Sequence, residues 1–339
     1  LMKFAPQKAK EGEIYTPREV IKLMVEILEP KPGKSVYDPC CGSGGMLIIS
    51  HSHVAEKYGE EEVRKLFLYG QERSPTIYAT CQMNLLLHDI KNGEIVNGDT
   101  LDYPRLRENG RLKTFDIVIA NPPWNQDGYG EDRLKKANFR ERFTFGYSPN
   151  DKADWAWVQH MLASSKEKVG IVLDQGALFR GGSEREIRKQ IVEKDWIECV
   201  VLLPPKLFYN TGASGIIIIF NKNKPRNRKG KVLFLNAIEE FEKHPEVRRL
   251  YTLSSNNIKK ITKAYENFRN VAGFAKVADL KELGEKDYNL NITLYAPLIE
   301  KEEKINIKEV YRELEKLREG RGKTEKKVRE YLEGILKAG

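Results

Sequence analysis

The sequence has few cysteines, and none of them has the spacing of a disulfide framework or a zinc site. Of the four, Cys40 and Cys41 are adjacent, while Cys81 and Cys199 lie in apolar runs. Structural zinc needs pairs of ligands a few residues apart, and disulfide scaffolds are short secreted chains rich in cysteine. We therefore expect these thiols to be packing residues, and we expect no metal site.

Long hydrophobic runs are also missing. No stretch approaches the roughly 18 consecutive apolar residues that a membrane span requires. The first ten residues lack the apolar middle of a signal peptide. Internal repeats and low-complexity tracts are absent as well. The sequence therefore predicts a cytoplasmic protein with no membrane association.

Positive charge exceeds negative charge. Lysine and arginine number 58 against 49 aspartates and glutamates, which gives a formal net charge of +9. This balance favours a polyanionic partner, because cationic side chains gain by contacting phosphates and releasing counterions. A generic basic protein would have the same balance, so specific residues must decide.

From residue 35 to residue 236, short β-branched runs alternate with stretches of helical period, which is typical of an α/β fold. The predicted strands are Ser35–Tyr37, Phe67–Gly70, Glu94–Asn97, Phe115–Ala120, Val169–Leu173, Ile197–Leu203 and Gly215–Phe220. The predicted helices are Pro17–Leu28, Gly45–Lys57, Pro75–His88, Asp154–Ser164 and Ser183–Glu193. We expect a doubly wound, mostly parallel, seven-stranded sheet, followed by one further strand at Lys231–Leu235.

The chain is predicted to divide into an N-terminal extension (1–12), a catalytic domain (13–236) and a C-terminal helical region (237–339). Two charged segments, Asn306–Arg318 and Thr324–Leu336, are separated by Gly320 and Gly322 and predict an αα-hairpin. These helices either fold onto the core or serve as a docking handle for another subunit.

Chemically loaded residues follow four strands in order, as expected where ligands bind beyond the carboxyl ends of parallel strands. The first cluster, Asp38 to Gly45, joins a carboxylate to three glycines before a helix. It is neither a dinucleotide fingerprint nor a P-loop, because no Lys-Ser/Thr pair follows. Its candidate cofactor-binding residues are Asp38, Gly42, Ser43, Gly44 and Gly45. A purely structural turn is the alternative.

Two further carboxylates are candidates for the same pocket. Glu72 ends the second strand, where a carboxylate can accept both hydrogen bonds of a ribose diol. Asp99 follows Asn97-Gly98, where it could accept a hydrogen bond from an adenine amino group. The alternatives are a solvated strand-end glutamate and an ordinary turn aspartate.

A third candidate segment precedes the first helix. Thr16 stands before Pro17, and Glu19 follows three residues after Thr16. This spacing predicts a capping box, with Thr16 as the N-cap residue.

The most specific pattern is Asn121-Pro122-Pro123-Trp124, directly after a buried strand. The prolines remove two backbone donors and stiffen the turn. The Asn121 side chain and the Pro122 carbonyl could then accept hydrogen bonds from a conjugated amino group and restore its lone pair. Trp124 offers a face for stacking on a planar base. The alternative is a strand-end turn with Trp124 in the core.

These motifs resemble the modification (M) subunit of type I DNA restriction–modification systems, within the N6-adenine DNA methyltransferases. The matching segments are Tyr15-Thr16-Pro17, Asp38-Pro39 to Gly45, Gln71-Glu72, Asn84 to His88, Asn97-Gly98-Asp99, Asn121 to Trp124, Leu203-Pro204-Pro205, Leu207-Phe208 and Thr211-Gly212. The resemblance implies the Rossmann-like fold of class I S-adenosyl-L-methionine-dependent methyltransferases. It also implies that Tyr15 and Thr16 contact the methionine part of that cofactor.

The resemblance extends to catalysis and partners. It implies that Asn121, Pro122, Pro123 and Trp124 bind an adenine flipped out of double-stranded DNA, with Phe208 as a candidate for stacking on its second face. The implied partners are a specificity (S) subunit in an M2S1 assembly and optionally a restriction (R) subunit.

This chain departs from the family pattern at three points. Cys40 stands where the family usually has alanine, and Met46 where it has phenylalanine, which should leave the pocket intact. A large helical domain usually precedes Tyr-Thr-Pro, so the short segment here is expected to reflect a truncated or shortened member.

Two other functions remain open on the sequence alone. Enzymes that methylate protein glutamine or ribosomal RNA guanine also carry Asn-Pro-Pro-aromatic motifs. The other is a catalytically silent scaffold subunit, although the intact Asn121, Trp124, Asp38 and Glu72 argue against it.

Overall fold

The computed structural model describes residues 16–209, 211–299 and 307–338. Tyr15, one of the predicted cofactor residues, lies outside the described residues. The helices are α1 (Arg18–Leu28), α2 (Gly45–Tyr58), α3 (Glu60–Val63), α4 (Pro75–Leu87), α5 (Glu131–Leu134), α6 (Asp154–Ala163), α7 (Gly182–Glu193), α8 (Ser255–Asn267), α9 (Leu280–Glu285) and α10 (Ile307–Ala338). The predicted helices are therefore confirmed to within one or two residues at their ends.

The main sheet comprises nine strands of the described chain. They are β1 (Ser35–Asp38), β2 (Phe67–Glu72), β3 (Gly93–Asn97), β4 (Phe115–Ala120), β5 (Ser165–Asp174), β6 (Ile197–Leu202), β7 (Gly215–Asn221), β8 (Lys231–Asn236) and β9 (Ala275–Asp279). Their spatial order is β9-β8-β6-β7-β5-β4-β1-β2-β3. Two-stranded ribbons join Arg107–Glu108 to Arg111–Leu112 and Glu242–Lys243 to Tyr251–Thr252.

Most neighbouring strands are parallel, and β7 lies antiparallel between β5 and β6. Every residue of β6 and β7 is buried. Strands buried on both faces read as continuous apolar runs, because helices cover the sheet on either side. The doubly wound, mostly parallel α/β fold is confirmed.

Two apolar clusters fill the two faces of this sheet. One holds the inward side chains of α1, α2, α4 and α8. The other holds those of α6, α7 and the segments around Tyr129 and Tyr295. The carboxyl ends of β1 to β4 lie at one edge between these layers, so the residues that follow them can meet.

The sheet is larger than the predicted seven strands. β8 matches the further strand predicted at Lys231–Leu235, but β9 was not predicted, since Ala-Lys-Val-Ala-Asp is short and half polar. β9 pairs antiparallel with β8, and α8 packs in the same core as α1. The described residues as far as Leu298 thus form one compact unit, whereas the predicted boundary lies at 236/237.

The second unit contains α10, one helix of 32 residues. The predicted αα-hairpin is wrong, because the helix continues through Gly320 and Gly322. An interior glycine costs a helix only about 1 kcal/mol, and the flanking Glu, Lys and Arg residues favour helix. The Arg321–Glu325 ion pair, at 2.8 Å, spans this point. No helix in the described part of the chain is long and apolar enough to cross a membrane.

Candidate active site

The glycine-rich loop after β1 is bound to the end of β2. The backbone N–H of Gly42 donates to Oε2 of Glu72 at 3.0 Å, and that of Ser74 donates to Oε1 at 2.7 Å. Gly42 and Gly44 have φ values of +53° and +88°, where side chains are disfavoured. The predicted Gly42 and Glu72 therefore meet, and the Glu72 carboxylate faces the loop.

Close packing explains why Gly44 has no side chain. A Cβ atom there would lie 2.9 Å from Sγ of Cys81, whereas one at Gly42 would meet nothing within 4 Å. The side-chain amide of Asn84 donates to the carbonyl of Ser43 at 2.9 Å. The loop is thus held from α4 and open on the side of Gly42. Asn84 belongs to one of the matching sequence segments, but its contact with the loop was not predicted.

Asp38 is buried at the end of β1, with 3% of its surface exposed. Burial raises the pKa of this carboxyl to about 7, and the nearby Glu72 charge adds to the rise. The hydrogen bond from the Cys40 backbone N–H, at 3.0 Å, works in the opposite direction. A positively charged group bound here would favour the ionised carboxylate.

Asp99 is engaged by two residues of the segment that follows the Asn-Pro-Pro-Trp motif. Its Oδ2 accepts a hydrogen bond from the hydroxyl of Tyr129 at 2.5 Å and lies 3.4 Å from Arg133. Burial and this carboxylate raise the pKa of Tyr129. Sequence reasoning missed Tyr129, because its place near Asp99 depends on a contact 30 residues apart. Contact of Asp99 with an adenine amino group stays a prediction.

The Asn-Pro-Pro-Trp motif follows β4, and its first and last residues are bonded to each other. The indole Nε1 of Trp124 donates to Oδ1 of Asn121 at 2.9 Å. Nδ2 of Asn121 donates to Oγ1 of Thr16 at 2.7 Å. The structure therefore brings together Thr16, Asn121 and Trp124, and the Asn121 amide is oriented from both ends.

This use of Thr16 makes the predicted capping box wrong. The N-cap of α1 is Pro17, and no side chain caps the helix. The Thr16 hydroxyl contacts Asn121 instead, and Glu19 accepts a hydrogen bond from Thr252 at 2.8 Å. The local spacing predicted the cap, but the side chains of Thr16 and Glu19 form hydrogen bonds with residues distant in sequence instead.

Phe208 packs against Trp124 in an edge-to-face arrangement, with ring centroids 4.9 Å apart. Phe208 is fully buried and Trp124 is 6% exposed. A Cβ atom at Gly215 would lie 2.6 Å from the Phe208 ring and 3.0 Å from Trp124. The rings are therefore in contact with each other, and stacking of both on a base requires them to separate.

Within the described ranges, no group of histidines, cysteines and carboxylates is arranged to hold a metal ion. The residues that are brought together are backbone donors, carboxylates, an oriented amide and aromatic rings. Such a set can bind a ligand with a diol and a cationic centre beside a planar amine.

Known proteins match this chain over most of its length. The model of the N-6 DNA methylase family matches residues 1–304. The MjaVII type I restriction enzyme methylase subunit of Methanocaldococcus jannaschii is 50% identical, across 99% of this chain and 58% of the relative. The MpnII methylase subunit of Mycoplasma pneumoniae is 30% identical, across 96% of this chain and 60% of the relative.

A solved structure agrees with these matches. The methyltransferase subunit of a type I restriction–modification system from Streptococcus thermophilus superposes with a TM-score of 0.75 and 33% identity. The similarity covers 85% of this chain and 60% of that one. This chain thus spans 58% to 60% of the length of these three proteins.

Proposed function

This chain belongs to the N-6 DNA methylase family, and from that premise we propose that it methylates the exocyclic amino group of adenine in double-stranded DNA. It acts as the modification subunit of a type I restriction–modification system, with S-adenosyl-L-methionine as the methyl donor. The family resemblance drawn from the motifs is confirmed by the match over residues 1–304.

The observation that carries the proposal is the orientation of Asn121. Hydrogen bonds with Trp124 and Thr16 fix this amide, and a fixed amide loses little entropy when the substrate amine arrives. Acceptors at Asn121 Oδ1 and the Pro122 carbonyl draw the hydrogens of an adenine amino group out of the ring plane. The nitrogen lone pair then becomes available for attack, so that positioning supplies most of the catalysis.

The residues around the glycine-rich loop fit S-adenosyl-L-methionine, since the space beside Gly42 is open, Glu72 accepts a hydrogen bond from Gly42, and Asp38 accepts one from Cys40 in the same loop. Glu72 would hold the ribose diol, and Asp38 would lie in reach of a cationic group. Gly42, Ser43, Gly44 and Gly45 would form the cradle, with Thr16, Tyr15 and Asp99 completing the pocket. When bound, the cofactor supplies an activated methyl group on sulfur.

The target base is reached by flipping, because the adenine amino group is inaccessible inside a duplex. Trp124 supplies one stacking face, and Phe208 is proposed for the second. The contact between these rings means that base entry displaces at least one of them. The net charge of +9 supports binding to the phosphate backbone.

The proposed assembly contains two M subunits and one S subunit, which reads the DNA sequence, with an R subunit as an optional addition. The assembly is proposed to be cytoplasmic, because its proposed substrate is chromosomal DNA. α10 is the proposed docking element, since Leu314, Leu317 and Tyr331 are exposed on it. Loss of co-purification with an S subunit on deletion of residues 300–339 would support this role, and retained binding would reject it.

Transfer of a labelled methyl group from the cofactor to duplex DNA, with the S subunit present, tests the function. We expect activity on adenine in the parent and its loss in Asn121→Ala. Activity in Asn121→Ala equal to the parent would refute the mechanism. Ribosomal RNA and glutamine-containing peptides serve as alternative acceptors, and labelling of either instead of DNA would assign the chain to another class.

A further inference from the structure

A buried charge cluster lies beneath the residue that follows the Asn-Pro-Pro-Trp motif. The guanidinium of Arg180 faces three carboxylates. It bonds Asp154 directly, Glu184 at 2.6 Å and Asp174 at 3.1 Å. The side chains of Asp154 and Glu184 are almost completely buried, and that of Arg180 is 18% exposed. Three separate elements, α6, α7 and the end of β5, thus converge on one arginine.

The cluster has two connections to Asn125, which directly follows Trp124. Arg180 donates to Oδ1 of Asn125 at 3.0 Å, and the backbone N–H of Asn125 donates to Oδ1 of Asp154 at 3.1 Å. Asn125 is exposed and has a φ of +50°, a left-handed conformation that asparagine tolerates better than most residues. The backbone N–H and the side-chain oxygen of Asn125 are therefore both hydrogen-bonded to charged groups of the cluster.

Burial raises the pKa of Asp154 to about 6, although Arg180 opposes the rise. Burial thus disfavours the charged form of Asp154, although this is the form that pairs with Arg180. Buried ion clusters of this kind are weak contributors to stability, because desolvation offsets their attraction. The cluster instead fixes orientations, because a planar guanidinium holds several hydrogen-bond acceptors in defined positions at once.

We propose that Arg180 is a positioning residue for methyl transfer, which fixes the turn after Trp124 through Asn125 and Asp154 and so holds Asn121 in register with the target amine. This inference rests on the function proposed above. In the described part of the chain, the Arg180 guanidinium bonds Asn125, Asp154, Asp174 and Glu184, none of which is assigned to the base or the cofactor. It acts through Asn125, the next residue along the chain from the aromatic end of the motif.

Four variants separate positioning from simple stabilisation. Arg180→Lys keeps the charge but loses the planar fork. Asn125→Gly tolerates the positive φ and removes the side chain but also frees the backbone, so it is compared with Arg180→Lys, which leaves residue 125 unchanged. Asn125→Asp keeps the acceptor oxygen. Arg185→Ala is the matched control, because Arg185 lies on α7 beside Glu184 but pairs with Asp287 and Glu186 outside the cluster.

Hydrogen exchange of the peptide covering residues 121–130 gives a readout that needs no activity. Loss of a charge-assisted hydrogen bond should speed exchange there about ten- to a hundredfold in Arg180→Lys and Asn125→Gly. Asn125→Asp and Arg185→Ala should match the parent. Unchanged exchange in both Arg180→Lys and Asn125→Gly, or an equal rise throughout the chain, would overturn the proposal.

Methyl-transfer kinetics with the S subunit give the second readout. We expect kcat to fall about ten- to a hundredfold in Arg180→Lys and Asn125→Gly, with the KM for cofactor within about twofold, and Asn125→Asp to retain most of kcat. A rise in KM at constant kcat would contradict positioning. A parent without activity would refute the proposed function, while the exchange result would still decide the role of Arg180.

Discussion

The indole nitrogen of Trp124 donates a hydrogen bond to the side-chain oxygen of Asn121, three residues earlier in the chain, at 2.9 Å. The aromatic residue of the motif therefore orients the amide as well as offering a ring. These two roles of Trp124 can be separated experimentally, because phenylalanine keeps a ring and lacks the donor.

Replacement of Trp124 by phenylalanine should lower kcat for methyl transfer about fivefold, since an average hydrogen bond contributes about 1 kcal/mol and its loss frees the Asn121 amide. Trp157→Phe is the control. Its indole donates at 3.0 Å to Gln126, outside the motif. Equal losses of activity in the two variants would show that the Trp124 donor has no special role.

Thr16 should matter through its acceptor oxygen. Thr16→Val keeps the shape and removes the partner of Asn121 Nδ2, so kcat should fall about tenfold, whereas Thr16→Ser should stay within about twofold of the parent. Single-turnover methyl transfer measures both variants. If Thr16→Ser were as impaired as Thr16→Val, the hydrogen bond to Asn121 would not explain the effect.

Asp38 should make stability depend on pH in a predictable direction. Its pKa of about 7 in the folded protein exceeds the ordinary value of 3.8, so the folded state binds this proton more tightly than the unfolded state. The stability that this proton contributes is complete below pH 4 and is lost as the pH rises to 7. Asp38→Asn should therefore gain in free energy of unfolding, relative to the parent, across this window, by up to about 4 kcal/mol.

Urea unfolding at several pH values tests the Asp38 prediction, with Asp116→Asn as a control of opposite sign. Although burial opposes it, hydrogen bonds from Ser35 and Lys34 lower the pKa of Asp116. Its contribution to stability is present above the ordinary pKa and disappears in acid. A pH-independent difference between parent and Asp38→Asn would contradict the assignment of the raised pKa to Asp38.

The two constraints on Gly44 can be separated by mutation. Gly44→Ala should cost about 1–2 kcal/mol for its positive φ and about 1–3 kcal/mol more for the clash with Cys81. Cys81→Ala in the same chain should recover the second part. Gly33→Ala is the control, because Gly33 also has a positive φ but no neighbour within 4 Å of the added Cβ. Additive effects of the two substitutions in urea unfolding would exclude the predicted clash.

Much of the fold could be predicted from the sequence, because periodicity and helix-start residues are local signals. The five predicted helices lie where the pattern placed them. The prediction of a hairpin around Gly320 was wrong, since two glycines within a strongly helical composition do not end a helix. β9 was missed because its strand character comes from pairing with β8 more than from its own residues.

The site could be predicted only as far as motifs reach. The Asn-Pro-Pro-Trp motif and the glycine-rich loop are contiguous, so their residues could be named. Tyr129 and Arg180 could not, because the contacts that connect them to the site, with Asp99 for Tyr129 and with Asn125 and Asp154 for Arg180, span 26 to 55 residues of chain. Thr16 was given the wrong local partner for the same reason. The resemblance supplied Phe208, but no pattern could indicate that its ring is enclosed.

Because Phe208 is enclosed, a side chain added at residue 215 would press against its ring. A methyl group added at position 215 would lie 2.6 Å from the Phe208 ring and 3.0 Å from the Trp124 ring, so at least one ring would have to shift. A chain carrying alanine there would be biased towards separated rings. Crystallography of such a variant could then capture the arrangement in which the two rings are apart and a planar base can enter.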